Sequence, residues 1–166
     1  QLRSPQLVSA TELQLRRGEN TIPFMPAPGQ TSDGIKVHLR EDKVLVASDV
    51  VTPVPLVPRG DPAALARSLR SIKSLNLENA IQGHGGVLLS GEINETVDSN
   101  IGYLKAIDKK VRAIVENGEP RSSLAEIDIE SCGRSRIPLG GLVQRLHVAN
   151  LEYLYDGMLA ERKQSR

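Results

Sequence analysis

Two residues in this chain have both the type and the setting to do chemistry together. Asp49 follows the apolar run VLVAS, and His84 lies in the loop QGHGG. A carboxylate and an imidazole are donors that can hold a metal ion and orient water on it. The residues before each predict a strand, Val44–Ser48 and Asn79–Gln82, with one helix between them. In sheets covered by helices, ligands gather at the carboxyl ends of strands, so Asp49 and His84 are expected to face one site. Ordinary readings stand beside this one. An aspartate after a strand commonly caps a turn. Glycines around His84 can serve a tight turn that the imidazole merely hydrogen-bonds. The spacing of the two motifs, with one helix between them, is the stronger signal.

Other polar residues carry less chemistry. His38 alternates with the polar residues of IKVHL and is expected on the solvent side, and His147 sits on an amphipathic helix where packing or capping is the simpler role. Arg59 lies in a proline-rich loop; it could pair with an anionic group, though a solvated loop charge is the plainer expectation. Cys132 is the only cysteine, which excludes an intrachain disulfide and a cysteine-rich zinc site; a small, partly buried thiol is expected there.

The elements that must position these residues follow from periodicity. Thr11–Arg16 and Thr21–Met25 flank the polar turn Arg17–Asn20 and predict a hairpin. Ile35, Val37 and Leu39 alternate with Lys36, His38 and Arg40, and Val44–Ala47 is continuously apolar, which suits a strand buried on both faces. Prolines at 53, 55, 58 and 62 predict an ordered, non-strand excursion over the surface after Asp49, able to rim a pocket. Asp61-Pro62 then opens a helix carrying Leu65, Leu69 and Ile72. A longer stripe, Ile93 to Val115, ends at Asn117-Gly118. A short helix is expected near Ser123–Glu130 and a terminal helix around Leu142–Leu154, with Arg162–Arg166 fraying.

With 166 residues and 39% hydrophobic content, the chain can bury one core, as a single or partial domain, with 119–166 as a C-terminal helical extension. Strands first, then strand alternating with helix, then helices, predicts a layered α/β fold with helices on one face of a mixed sheet. The other face is left bare, for a missing segment, a partner chain or a second copy to cover. Lys plus Arg number 21 against 20 acidic residues, with no basic run, and the four aromatics are scattered, which offers no footing for nucleic acid. No apolar run is long enough for a membrane span, and QLRSPQLVSATELQ lacks a signal-peptide core, so a soluble, cytoplasmic chain is expected.

PGQTSDG, VLVASDVV, QGHGG, the long helix and LHVANLEYLY, taken in order, resemble the second half of a metallo-β-lactamase-fold hydrolase, with affinities to the alkylsulfatase-like and glyoxalase-II-like branches. The resemblance implies one half of an αββα sandwich. It also implies two metal ions, usually zinc, with iron or manganese as alternatives, held by an HxHxDH loop from a first half absent here and by three later residues. Asp49 matches the bridging aspartate, within Ser48-Asp49 instead of Gly-Asp, and His84 matches the last histidine. Gln30 falls where PGHT or PGET supplies the third ligand. A carboxamide is a weaker neutral donor, so one metal position is expected to be weakened or lost. His38, His84 and His147 are isolated, and two good ligands are fewer than the three a catalytic zinc takes from protein. This chain alone is therefore not expected to be a competent hydrolase. Two outcomes are expected in competition. In one, it is the C-terminal part of a longer enzyme in which a metal-held hydroxide, oriented by Asp49 as catalytic residue, attacks an ester, lactone, thioester or sulfate ester of a small-molecule substrate. In the other, it is a non-catalytic interaction module or metal-free half-domain that pairs with another chain.

Overall fold

A computed structural model of the chain describes residues 11–164; what the sequence suggested for the first ten residues and for the last two lies outside them. Six strands form one sheet in chain order: β1 (Leu13–Arg17), β2 (Asn20–Pro26), β3 (Ile35–Leu39), β4 (Val44–Ser48), β5 (Asn79–Gln82) and β6 (Val87–Leu89). All neighbours are antiparallel except β4 and β5, which are parallel because α1 (Pro62–Ile72) lies between them in the chain. The helices α2 (Ser90–Asn117) and α3 (Leu142–Gln164) complete the helical layer. The fold is α/β, with a mixed sheet.

Local chemistry sets the boundaries. Asp61 Oδ1 accepts from the backbone N–H groups of Ala63 (2.8 Å) and Ala64 (3.0 Å), with Pro62 in the first turn of α1. The Glu92 carboxylate accepts from Leu89 N (2.8 Å) at the start of α2, and Gly118, at φ 74°, closes it in the left-handed conformation. The helix expected over Ser123–Glu130 is instead two 3₁₀ turns, Arg121–Glu126 and Glu130–Cys132. Strand β6 was not anticipated: three apolar residues between the glycine loop and α2 are too few to show a period.

Burial departs from expectation in two places, for one physical reason each. On β3 the apolar residues were expected to point to the core, but the alternation is reversed. Lys36 (2% exposed) and His38 (9%) face the helices, and Ile35 is 48% exposed. Lys36 Nζ donates to Ser71 Oγ on α1, His38 Nε2 is buried without a partner among the described residues, and burial lowers the pKa of both below the ordinary value. Strand β4 is not buried on both faces either: Leu45 and Ala47 are fully buried under the helices while Val44 and Val46 are half-buried. The cause is on the far side of the sheet. Register aligns Leu13, Phe24, Val37, Val46, Ile81 and Val87 in one line across all six strands, on the face that carries no helix among the described residues. Apolar side chains on that face remain exposed, among them Leu15 (51%) and Leu89 (60%). A period-2 pattern cannot tell an inner from an outer face when both carry apolar side chains.

The second departure is the proline loop. It does not run over the surface, because Val51, Val54 and Val57 are at most 2% exposed and belong to the core with Leu65, Leu69, Val97, Leu104 and Leu151. Valines between the prolines carry enough apolar area to pull the segment in.

Candidate functional site

The turn that delivers Asp49 is strained. Pairing between β4 and β5 shifts register between Val46 and Ser48, and Ser48 takes φ 51°, the left-handed region that glycine occupies without cost. The Ser48 carbonyl accepts from Gly83 N (2.8 Å) and Val51 N (3.3 Å), and Gly83 N also reaches Val51 O (3.2 Å). These bonds stitch the two strand ends together, so residues that follow them must converge.

They do converge. Asp49 Oδ1 lies 3.6 Å from His84 Nε2, with side chains 38% and 66% exposed. That is too long for a hydrogen bond. Donor atoms about 2.0–2.2 Å from a tetrahedral zinc ion stand roughly 3.3–3.6 Å apart, so the spacing fits two ligands of one ion. The approach depends on Gly83, where a Cβ would sit 1.9 Å from Asp49 Oδ1. The glycine loop is braced by Gln82 Nε2 donating to Gly86 O (2.8 Å), and it abuts Pro53, whose Cγ would lie 3.3 Å from a Cβ on Gly85.

Gln30 is placed differently. Its loop packs on the start of α1: Asp61 N donates to Gly29 O (2.8 Å), and a Cβ on Gly60 would be 2.9 Å from Gln30 O. Gln30 makes no hydrogen bond to Asp49 or His84 among the described residues. Nor does any group of three or more His, Cys, Asp and Glu among those residues stand where it could hold a metal ion. Asp49 and His84 are thus two donors at a spacing compatible with one ion, with no third His, Cys, Asp or Glu beside them among the described residues.

The remaining candidates lie elsewhere. His38 is buried under the helices instead of exposed, and His147 (3% exposed) is packed in the core, as its amphipathic helix suggested. Arg59 is exposed at φ 67°. Cys132 is 3% exposed, and burial raises its thiol pKa, which disfavours the nucleophilic thiolate. A cavity of about 530 Å³ between the start of α1, α2 and α3 is lined by Asp61, Leu104, Lys105 and Met158 and includes neither Asp49 nor His84. Sequence reasoning passed over Gly83 as a turn glycine, although its position directly before His84, after a strand neighbouring Asp49, was a usable signal.

No family model matches the chain, and no curated protein matches it in sequence. Solved structures do resemble it. A stereoselective inverting sec-alkylsulfatase from Pseudomonas sp. superposes with a TM-score of 0.69 at 17% identity, over 94% of this chain and 27% of its own. A metallo-β-lactamase family protein from Thermus thermophilus superposes with a TM-score of 0.64 at 18% identity, over 93% of this chain and 50% of its own. The chain thus spans about a quarter of one relative and half of the other, and it shares with both the metallo-β-lactamase-type fold.

Proposed function

We propose that this chain is the C-terminal part of a metal-dependent hydrolase, with Asp49 and His84 as metal ligands and ester, lactone, thioester or sulfate-ester bonds as the substrate class. The 3.6 Å approach of Asp49 to His84 at two stitched strand ends carries the reading. The apolar, helix-free face of the sheet supports it, because a second sheet packed there would complete a sandwich and bring further ligands to the same edge. A bound zinc, iron or manganese ion would supply Lewis acidity and bring the pKa of water toward neutrality. The chain's own residues do the positioning. Asp49 keeps one carboxylate oxygen on the His84 side, held against the Cα of Gly83, and is available to orient water for attack. His84, in an exposed glycine loop, offers its Nε2 without moving the sheet. Gln30, on its own loop against α1, serves as a turn residue or a weak third ligand, which leaves one metal position weaker than the other. No helix among the described residues is long and apolar enough to cross a membrane, and a cytoplasmic setting is part of the proposal.

The test is uptake of zinc by the natural product, compared with Asp49→Ala and His84→Ala. Metal lost in both variants and hydrolysis of an ester panel that falls with it support the reading; a folded protein that takes up no zinc, iron or manganese overturns it. The same open face favours a second reading, a non-catalytic module that pairs with another chain or a second copy through the sheet. A metal-free dimer whose interface is the sheet would select that reading.

A further inference from the structure

The buried proline loop raises a question of satisfaction: its carbonyls and N–H groups have left water and need partners. Several find them on α3. Asn150, fully buried, donates from Nδ2 to Pro55 O (2.7 Å) and accepts at Oδ1 from Val57 N (2.9 Å), gripping the loop as a peptide group would. One turn on, Tyr153 Oη donates to Gly60 O (3.0 Å), at the point where the loop meets Gln30. At the other end Arg134, in the segment before α3, reaches Thr52 O (3.5 Å), three residues beyond Asp49.

Asn150 is itself held by a relay whose proton order is fixed. The carbonyl of Ile127 can only accept, so His147 Nε2, 2.9 Å away, carries the hydrogen. Nδ1 of the neutral ring then accepts from Tyr103 Oη (2.9 Å), and Tyr103 Oη accepts from Asn150 Nδ2 (3.0 Å). Burial supports each assignment: it pushes the Tyr103 phenol far above its ordinary pKa, keeping it a donor, and lowers that of His147, keeping it neutral.

We infer that Asn150, aimed by Tyr103 and His147, is a positioning residue for the candidate site: α3 clamps the loop 49–61 and thereby fixes Asp49 against His84. The inference rests on the proposed function only in calling Asp49 and His84 a working pair. Its test needs no metal. Tyr103→Phe removes one hydroxyl while keeping the ring, and Asn150→Leu removes the grip at similar volume. Hydrogen exchange is read at Val57 N–H and at Ile107 N–H in the middle of α2, with the His84 ring resonances as a third reading. The clamp requires that Tyr103→Phe speed exchange at Val57 about tenfold or more, leave Ile107 unchanged and shift the His84 ring. Asn150→Leu repeats this more strongly, or, if it lowers Ile107 as well, leaves Tyr103→Phe to decide. Unchanged Val57 protection in Tyr103→Phe overturns the inference, as does parallel loss at Val57 and Ile107, which marks a merely structural role. A loosened Val57 with an unmoved His84 ring also overturns it, since the loop would then not position the site. Failure of the hydrolase reading shows separately, as wild-type protein that takes up no metal.

Discussion

Replacing Gly83 by alanine tests the architecture of the site at its tightest point. The new Cβ would lie 1.9 Å from Asp49 Oδ1 and 2.9 Å from both Asp49 N and Ser48 C. The carboxylate alone could swing away from the first contact, at the cost of leaving His84. The other two are backbone contacts, and relieving them means moving the β4–β5 junction that Gly83 N itself stitches to Ser48 O at 2.8 Å. Overpacking of this kind costs about 1–3 kcal/mol, a fall in melting temperature of roughly 2–12 °C for a domain of this size. Because Asp49 must move by more than the tolerance of a metal site, zinc affinity should also drop by about tenfold or more. The control is Gly86→Ala, three residues along the same loop, where a Cβ meets nothing within 4 Å. Melting curves and zinc titrations of both variants form the assay. A Gly83→Ala protein that melts with wild type and binds zinc as tightly would refute the packing argument, as would equal damage from Gly86→Ala.

Three other outcomes follow from the same geometry. Ser48→Gly should stabilise the chain by about 0.5–1 kcal/mol in urea unfolding, because φ 51° strains a side chain and not a glycine; a destabilised variant would show that the serine is held there by contacts worth more than the strain. His147 is buried and neutral, with its pKa below the ordinary 6.5 chiefly through desolvation, with Asp128 and Glu130 opposing and Lys110 reinforcing the shift. The unfolded chain therefore binds more protons in acid. Stability from this group is intact above about pH 6.5 and is lost as pH falls from there through the folded-state value, by up to about 1.4 kcal/mol per pH unit. Unfolding free energies at pH 7.5 and 5.5 should diverge more in wild type than in His147→Gln, with the second buried imidazole, His38, leaving a residual slope in both; equal slopes would contradict the neutral assignment. Ile81 is 41% exposed on β5, one strand in from the sheet edge, so Ile81→Lys should barely change the melting of this chain alone but abolish binding of whatever covers the face, read by light scattering; unimpaired assembly would place the interface elsewhere.

Much of this arrangement was legible in the sequence, and the reasons for the rest are physical. Caps and breakers act locally, so Asp61-Pro62 and Asn117-Gly118 marked α1 and α2 with little ambiguity. The convergence of Asp49 and His84 was legible because parallel strands joined by one helix present the same ends at the same edge. Burial depended on longer-range facts. The β3 pattern placed Lys36 outward, whereas the sheet's helix-free side is itself apolar and Lys36 Nζ finds Ser71 Oγ beneath α1. The proline loop read as surface because its prolines deny strand pairing, yet Asn150, 95 residues after Pro55, satisfies its backbone and lets its valines enter the core. Nothing near position 55 could have announced that partner.

Metal content tests the central claim most directly: zinc, iron and manganese per chain, by elemental analysis of the natural product alongside its Asp49→Ala, His84→Ala double variant. The account requires at least one ion per molecule in the wild type and a fall of about tenfold or more in affinity when both ligands are removed. A folded wild-type protein without metal, or a double variant that keeps its full complement, would contradict it.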